Sequence, residues 1–218
     1  TGQVIPVTSA DVQLEAVFEN GTQVVGESKI CDFKKQQDCR IHHVNLIPAK
    51  PEPLPSALEA IRDADLILLG PGSLYTSVIP NLLVEGVPQA IAETDALKIY
   101  ICNIMTQDGE TEGYTAADHV QALMEHGAPG MVDLCLANCA PVPENLLGRY
   151  EEEGAVPLVV DRERIAAMGL ELVERPVARE KGDFARHDPD KLAEAVLDIY
   201  RQRAMRIFRG KNRYIIEE

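Results

Sequence analysis

The sequence contains no tryptophan, and aromatic residues make up only 5% of its 218 residues. A core must therefore be mainly aliphatic, and a hydrophobic content of 45% is enough for one ordinary globular domain. No apolar run approaches the roughly 20 residues that cross a bilayer, and no signal-peptide pattern is present. These absences predict a cytoplasmic protein without a membrane span. The chain starts on Thr1, close to a strand-like pattern, so we expect a cut or processed polypeptide.

Recognisable catalytic and metal-binding motifs are also missing. There is no Walker loop, no G-x-S-x-G elbow and no His, Asp or Glu spacing typical of a metal site. The five cysteines are irregularly spaced, which predicts buried free thiols in a reducing compartment rather than a disulfide framework. We interpret the carboxylates of Asp108, Glu110 and Glu112 as loop solvation. The sequence thus predicts no catalytic residue, no metal and no required cofactor.

The formal net charge is -14, which disfavours binding to nucleic acid and to anionic membranes. One segment has the opposite sign, because residues 201–213 carry six basic side chains and no acidic one. We interpret residues 201–218 as a basic helix end and tail, and a docking patch for an acidic partner or RNA is the alternative. We also expect a homo-oligomer.

Residues 1–50 predict an antiparallel β region packed on, or inserted in, the main domain. Residues 12–18 alternate between apolar and polar side chains, as in a half-buried strand. Asn20-Gly21 predicts a tight hairpin with two positive φ values, and residues 22–26 form the return strand. Residues 40–47 predict a third strand, and the polar stretch 31–39 predicts a loop.

Residues 51–200 predict an α/β domain with a mostly parallel sheet and helices on both faces. The prolines of residues 51–55 delay the first helix to about Ser56. Apolar runs at 65–69, 98–103, 131–137 and 156–160 predict strands, the first of them covered on both faces. A helix from Thr115 has its capping box closed by Asp118 and places His119 and His126 on a polar surface. Asp188 caps the last helix.

Ligands of open parallel sheets bind where the strands end, so the segments after these runs are candidate site residues. After the first strand, Gly70 and Gly72 allow close backbone approach, and hydroxyls such as those of Ser73 and Thr76, with the amides of the next helix, suit phosphate oxygens. A sharp strand-to-helix turn is the alternative.

After the second strand, polar side chains point to a base or a sugar. Asn103 and Gln107 can read a polar edge, and Thr106 adds a hydroxyl, although loop polarity alone gives a similar composition. Further along, Tyr150 can stack on a base, and Arg186 can reach a pyrophosphate with a bidentate fork. For both residues, an ordinary surface role remains the alternative at this point.

Two long motifs carry a family resemblance. Residues 64–84 read A-D-L-I-L-L-G-P-G-S-L-Y-T-S-V-I-P-N-L-L-V, and residues 100–115 read Y-I-C-N-I-M-T-Q-D-G-E-T-E-G-Y-T. Together they closely resemble the gluconeogenesis-factor (YvcK-like) family, within the superfamily of 2-phospho-L-lactate transferase (CofD-like). The glycine-rich G-G-G-T-G turn and the D-D-G-G-S-S-G segment of that family have no counterpart here.

The resemblance implies a Rossmann-like fold and a UDP-sugar-binding regulatory protein. The expected ligand is UDP-N-acetylglucosamine or UDP-glucose, and the expected role is in growth on gluconeogenic carbon and in cell shape. The family suggests the positions of Tyr150 and Arg186 for the nucleotide-sugar. A transferase of the 2-phospho-L-lactate type is the alternative, with acceptor- and metal-binding aspartates in the part that has no counterpart here.

Overall fold

The computed structural model describes residues 2–182 and 184–213, with side chains described as far as residue 205. Its strands are β1 (Gln13–Phe18), β2 (Gln23–Val25), β3 (Ile41–Ile47), β4 (Leu66–Leu69), β5 (Leu97–Ile101), β6 (Leu134–Asn138), β7 (Glu171–Arg175), β8 (Ala178–Lys181) and β9 (Phe184–His187). Its α-helices are α1 (Glu27–Gln37), α2 (Pro55–Arg62), α3 (Ile79–Leu82), α4 (Val87–Glu93), α5 (Ala116–His126), α6 (Glu144–Glu152), α7 (Arg162–Ala167) and α8 (Pro189–Arg213). A π-helical turn at Leu74–Val78 precedes α3.

The central sheet is four-stranded and all parallel, in the order β4-β5-β6-β7. Successive residues of a strand point to opposite faces, and each face has its own cover. Tyr100 and Cys102 lie in the larger core, which includes α5, whereas Ile99 and Ile101 pack with Val196 of α8 and its neighbours. The fold is therefore α/β, with helices on both faces of a parallel sheet, as the sequence predicts.

The predicted antiparallel region forms a three-stranded sheet in the order β2-β1-β3. The predicted loop at 31–39 is wrong, because residues 27–37 form α1. Ile30 is fully buried, and the ring of Phe33 lies 4.5 Å from that of Phe18. Ile30 and Phe33, three positions apart, lie on one side of this mostly polar helix and pack it against the sheet.

The β1–β2 hairpin forms where Asn20-Gly21 predicts it, but with another turn. Among these two residues, only Gly21 has a positive φ, at 82°. The Gly21 amide donates to the Phe18 carbonyl at 2.8 Å, and the Phe18 amide donates to the Thr22 carbonyl at 2.9 Å. The connection thus has three residues and one left-handed position, the arrangement of a type I turn followed by a glycine bulge.

Two strand predictions need correction. Residues 156–160 form only the isolated bridges Met105–Pro157 and Thr115–Val159, and the fourth parallel strand is β7. The strand β4 is present, but it lies at the edge of the described sheet, and Leu68 remains 42% exposed. Both faces of β4 contact a core, through Ile67 and Leu69 on one side and Leu66 on the other, but the second face is only partly covered among the described residues.

The two best-signalled helices begin where the sequence predicts. Thr115 and Asp118 form the capping box of α5, and the Asp188 carboxylate accepts hydrogen bonds from the amides of Asp190 and Lys191 at the start of α8. Within the described residues, no helix combines the length and the apolar character that crossing a membrane requires. The predicted basic patch continues beyond residue 205, where side chains lie outside the described residues.

The cysteines are free but not uniformly buried. Cys102 and Cys135 are buried in the core, whereas Cys31 and Cys39 are half-buried and Cys139 is exposed. The prediction of buried thiols is therefore correct only for the two that lie within or directly after the central strands β5 and β6, where both faces are covered.

Candidate functional site

A cavity of about 860 Å³ lies at the carboxyl end of the parallel sheet. Its lining combines the segment after β4 (Pro71, Gly72, Ser73 and Ser77), the segment after β5 (residues 103–108), Tyr150 of α6, and residues 184–187 of β9. Lys35 of α1, Glu153 and Ala155 complete the lining. Segments far apart in sequence therefore meet at one edge of the sheet, the position where such sheets bind ligands.

Glycine is required in the turn that follows β4. Gly70 has a φ of 87°, and a Cβ there would lie 3.1 Å from the Ile101 carbonyl oxygen. A Cβ on Gly72 would lie 3.3 Å from the Cβ of Ser77. The turn therefore packs tightly against the end of β5 and against the following π-helical turn, which directs Ser73 and Ser77 into the cavity wall.

A buried carboxylate, and not a free anion site, occupies the start of this π-helical turn. Glu110 is fully buried, and its Oε1 accepts a hydrogen bond from the Thr76 amide at 2.9 Å. Burial raises the pKa of Glu110, while hydrogen bonds from Thr76, Leu74 and Tyr75 oppose that rise. The interpretation of Glu110 as loop solvation is thus wrong, since this carboxylate occupies the amides that the sequence assigned to a phosphate.

The other two carboxylates of this loop are also paired. Glu112 accepts from the Gly109 amide and forms an ion pair with the buried Lys34 at 3.1 Å. Asp108 pairs with Lys35 at 2.5 Å, and this hydrogen bond is the largest cause of the raised pKa of Lys35. These two ion pairs connect the loop after β5 to α1 and stabilise its position beside the cavity.

Side-chain amides and hydroxyls form the floor of the cavity. The Ser73 hydroxyl donates to Oε1 of Gln107 at 2.8 Å, so the amide NH₂ of Gln107 is left to face a ligand. The Gln107 backbone amide donates to the Thr111 hydroxyl at 2.9 Å, which fixes the turn that carries it. Asn103 lies beside it, directly after β5. Thr106 is buried, and its hydroxyl bonds the backbone of Val156.

The β8–β9 hairpin brings the cationic part of the site. Arg186 is exposed on β9, with its guanidinium carbon 5.0 Å from the centre of the Phe184 ring. Tyr150 of α6 is only 9% exposed, and its hydroxyl accepts a hydrogen bond from the Ala185 amide at 2.9 Å. His187 borders the same cavity, and burial lowers the pKa of its imidazole. A polar cavity with a guanidinium at its mouth is suited to a phosphorylated polar ligand.

Comparison with known proteins assigns the family. The family model described as 2-phospho-L-lactate transferase CofD matches residues 1–178 of the chain. The chain belongs to the CofD family. It is also similar to the "Gluconeogenesis factor" of Bacillus subtilis (strain 168) and to that of Halalkalibacterium halodurans, each 44% identical over 92% and 90% of this chain. These matches cover 62% and 60% of the relatives, so the chain spans about three fifths of their length.

Solved structures give the same fold for this CofD-family chain. The crystal structure of a protein of the UPF0052 family from Bacillus halodurans superposes with a TM-score of 0.85 at 44% identity. The match covers 90% of this chain and 62% of that one. A second X-ray structure of a Bacillus halodurans protein gives a TM-score of 0.86, again at 44% identity.

Seven of the nine predicted ligand-binding residues of this CofD-family chain line the cavity at the carboxyl end of the sheet, namely Gly72, Ser73, Asn103, Thr106, Gln107, Tyr150 and Arg186. The other two, Gly70 and Thr76, lie outside its lining. Gly70 shapes the turn, and the Thr76 amide and hydroxyl are both directed to Glu110. These two residues therefore support the wall and do not face the cavity.

Sequence reasoning missed Lys35, Phe184 and His187. Lys35 lies on a helix that the sequence does not predict, and no local motif marks Phe184. The sequence does place His187 next to Arg186, just ahead of the last helix, and that position was the available signal. Among the described residues, no group of three or more His, Cys, Asp or Glu side chains could hold a metal ion.

Proposed function

We propose that this protein binds a nucleotide-sugar, UDP-N-acetylglucosamine or UDP-glucose, and acts in the cytoplasm as a regulatory protein. The observation that carries the proposal is the cavity in which the segments after β4 and β5 meet Tyr150 and Arg186. The relatives named gluconeogenesis factor, at 44% identity, support a role in growth on gluconeogenic carbon, and a role in cell shape is part of the same proposal.

The size and chemistry of the cavity fit such a ligand. A volume of about 860 Å³ lies within the range of small-molecule sites. In the proposed complex, Arg186 forms a bidentate contact with the pyrophosphate, because a planar guanidinium matches two phosphate oxygens. Asn103 and the free NH₂ of Gln107 hydrogen-bond the polar edges of the base or the sugar.

Binding without turnover is the mode that the carboxylates of the lining favour. Asp108 forms an ion pair with Lys35 at 2.5 Å, and Glu153 pairs with Arg149 at 3.4 Å. Both carboxylates of the lining are therefore already engaged by cations, and the proposal assigns neither of them a step with the ligand. No cofactor is part of this proposal, and the nucleotide-sugar itself is the ligand.

Calorimetric titration of the full-length protein with UDP-N-acetylglucosamine and UDP-glucose tests the proposal. We expect Arg186→Gln to lower the affinity roughly tenfold to hundredfold, since a charge-assisted bidentate contact is lost. Arg149→Gln is the matched control, because Arg149 contacts the same Phe184 ring but does not line the cavity. No binding heat with any UDP-sugar would overturn the proposal.

A transferase of the 2-phospho-L-lactate type is the second candidate, and the description of the matching family model motivates it. Formation of product from a deazaflavin acceptor and an activated phospholactate would reverse the order of the two candidates. Assembly into a homo-oligomer stays a prediction, which sedimentation velocity checks.

A further inference from the structure

We infer that Tyr150 and Phe184 are positioning residues for Arg186. Tyr150 acts through its hydroxyl, which fixes the backbone of β9, and Phe184 acts through its ring, which holds the guanidinium over the cavity. This inference rests on the proposed nucleotide-sugar function and deepens it. It differs from a role for Tyr150 as a stacking platform for the base.

The β8–β9 hairpin depends on contacts outside itself. It forms a separate two-stranded sheet with no ladder to the central sheet in the described chain. An isolated two-stranded hairpin is marginally stable in water, so neighbouring elements must hold it in place. Asn138 holds the start of β8, because its Oδ1 accepts from the amides of Val177 and Ala178 at 3.2 and 3.1 Å.

Tyr150 holds the other strand. Its hydroxyl accepts from the Ala185 amide at 2.9 Å and lies 3.4 Å from the Ala185 carbonyl oxygen, to which it donates. The phenol is thus bonded to both backbone groups of one residue, and Ala185 lies between Phe184 and Arg186. The small Ala185 side chain packs in a cluster with Tyr150 and Leu146 of α6. With the hydroxyl used in this way and the side chain 9% exposed, Tyr150 offers little free ring face to a base.

Phe184 holds the guanidinium directly. The guanidinium carbon of Arg186 lies 5.0 Å from the centre of the ring, a distance at which the negative face of the ring attracts a cation. Phe184 is 36% exposed, so part of its ring is accessible to the guanidinium beside the cavity. A guanidinium held in this way loses less freedom when a pyrophosphate binds, which strengthens binding without a new contact to the ligand.

The Tyr150→Phe substitution separates the two roles of the tyrosine, because it keeps the ring and removes only the hydroxyl. If the hydroxyl positions β9, we expect the affinity for UDP-N-acetylglucosamine to fall roughly two- to tenfold, the usual effect of one hydrogen bond. If the ring stacks on the base, the affinity stays at the wild-type level, and the inference is overturned. Asn145→Ala is the matched control, since Asn145 bonds the exposed Glu180 on the other strand of the hairpin.

A double-mutant cycle tests whether Phe184 acts through Arg186. We expect Phe184→Leu to weaken binding of UDP-N-acetylglucosamine about two- to fivefold. We expect Phe184→Tyr to keep the wild-type affinity, because a phenol ring also attracts a cation. In the Arg186→Gln background, Phe184→Leu should lower the affinity no further, because the guanidinium that the Phe184 ring holds is already absent. Equal losses in both backgrounds would show that Phe184 contacts the ligand itself or acts elsewhere.

Amide hydrogen exchange tests the anchor without any ligand. We expect the Ala185 amide to exchange roughly two- to tenfold faster in Tyr150→Phe than in the wild type, since its acceptor is lost. Unchanged exchange would refute the anchor even if a nucleotide-sugar binds. Absence of ligand binding by the wild-type protein, with faster Ala185 exchange in the variant, would overturn the proposed function and the role assigned to Arg186, but not the anchor.

Discussion

A single buried side chain, Glu110, organises the turn that the sequence marks as the most promising phosphate site. Its carboxylate accepts from the Thr76 amide, the kind of donor that an anion at a helix start uses. The protein thereby supplies its own anion at this point. In the proposed complex, the negative charge of the ligand must then be met by the cationic side chains of the lining, Arg186 and Lys35.

The raised pKa of Glu110 gives a pH-dependent contribution to stability. Because the native state binds this proton more tightly than the unfolded chain, the free energy of unfolding falls as pH rises from about 4.5, the unfolded value, through the raised native value. Glu110→Gln keeps an acceptor for Thr76 and removes the titration. We expect the wild type to lose stability relative to the variant as pH rises, measured by urea denaturation between pH 4.5 and 8. Parallel pH profiles of the two proteins would contradict this reading.

Gly70 is a second position where one residue determines local structure. With a φ of 87° and the Ile101 carbonyl 3.1 Å from a Cβ placed there, alanine meets both backbone strain and a steric contact. We expect Gly70→Ala to lower the free energy of unfolding by about 1–3 kcal/mol. Gly130→Ala is the control, because its φ is 84° but no atom lies within 4 Å of the added Cβ. Equal losses in the two variants would mean that the contact with Ile101 contributes nothing.

At the scale of elements, local pattern predicts the framework well but fails where tertiary contacts decide. The sequence correctly predicts the strands β4, β5 and β6 and the caps of α5 and α8, because apolar runs and capping residues are local signals. The helix α1 is not, since its apolar face consists of little more than Ile30 and Phe33. For residues 156–160 the error is the opposite one, since the sequence predicts a strand that does not form. An apolar run without a free partner strand remains a largely exposed connection.

The candidate site shows the same division. The segments after β4 and β5 follow from the rule that ligands bind at strand ends, and the structure brings them together. The burial of Glu110 and the contribution of Lys35 depend on how α1 packs against the loop after β5, and no short motif encodes that packing. For the same reason, His119 is buried and His126 is half-buried, although the sequence places them on a polar helix surface.

His126 joins α5 to β3 in a way that depends on pH. Its Nδ1 bonds the Ala122 carbonyl at 2.7 Å, so the proton belongs on Nδ1, and Nε2 accepts from the Val44 amide at 3.0 Å. Burial lowers the pKa of His126, with His42 and His43 lowering it further and the Ala122 carbonyl and Glu125 opposing them; the ring of Tyr75 also packs on the imidazole. Protonation at Nε2 removes the acceptor for Val44.

The sign of this effect is opposite to that of Glu110. The unfolded imidazole takes up a proton near pH 6.5, whereas the folded one resists it, so stability is lost as pH falls below 6.5. We expect urea denaturation between pH 7 and 5 to show a shallower loss of stability for His126→Gln than for the wild type. His119 and His187 remain in both proteins, and burial lowers the pKa of each imidazole, so a residual loss is expected. An equally steep loss in the variant would rule out this role for His126.

At the scale of the whole molecule, the cavity is where separate parts of the chain meet. The region of β1–β3 and α1 contributes Lys35, the parallel sheet contributes its strand ends, and the β8–β9 hairpin contributes Arg186. The first two share one hydrophobic core, which includes Phe18 and Tyr100 together. A ligand that spans this cavity therefore binds only when all three parts are in place, so its binding energy adds to the stability of the whole fold.

This coupling predicts a thermal shift of defined size. At a nucleotide-sugar concentration of 100 times Kd, the native state should gain about 2.7 kcal/mol, which corresponds to roughly 5–10 °C in Tm for a protein of this size. At the same ligand concentration, Arg186→Gln binds tenfold to hundredfold more weakly and should keep only about 0.4–1.4 kcal/mol of that gain, with a correspondingly smaller shift in Tm. Arg149 does not itself line the cavity, so Arg149→Gln should retain most of the shift. If all three proteins shift equally in differential scanning calorimetry with UDP-N-acetylglucosamine, the ligand binds elsewhere and Arg186 does not contact its pyrophosphate.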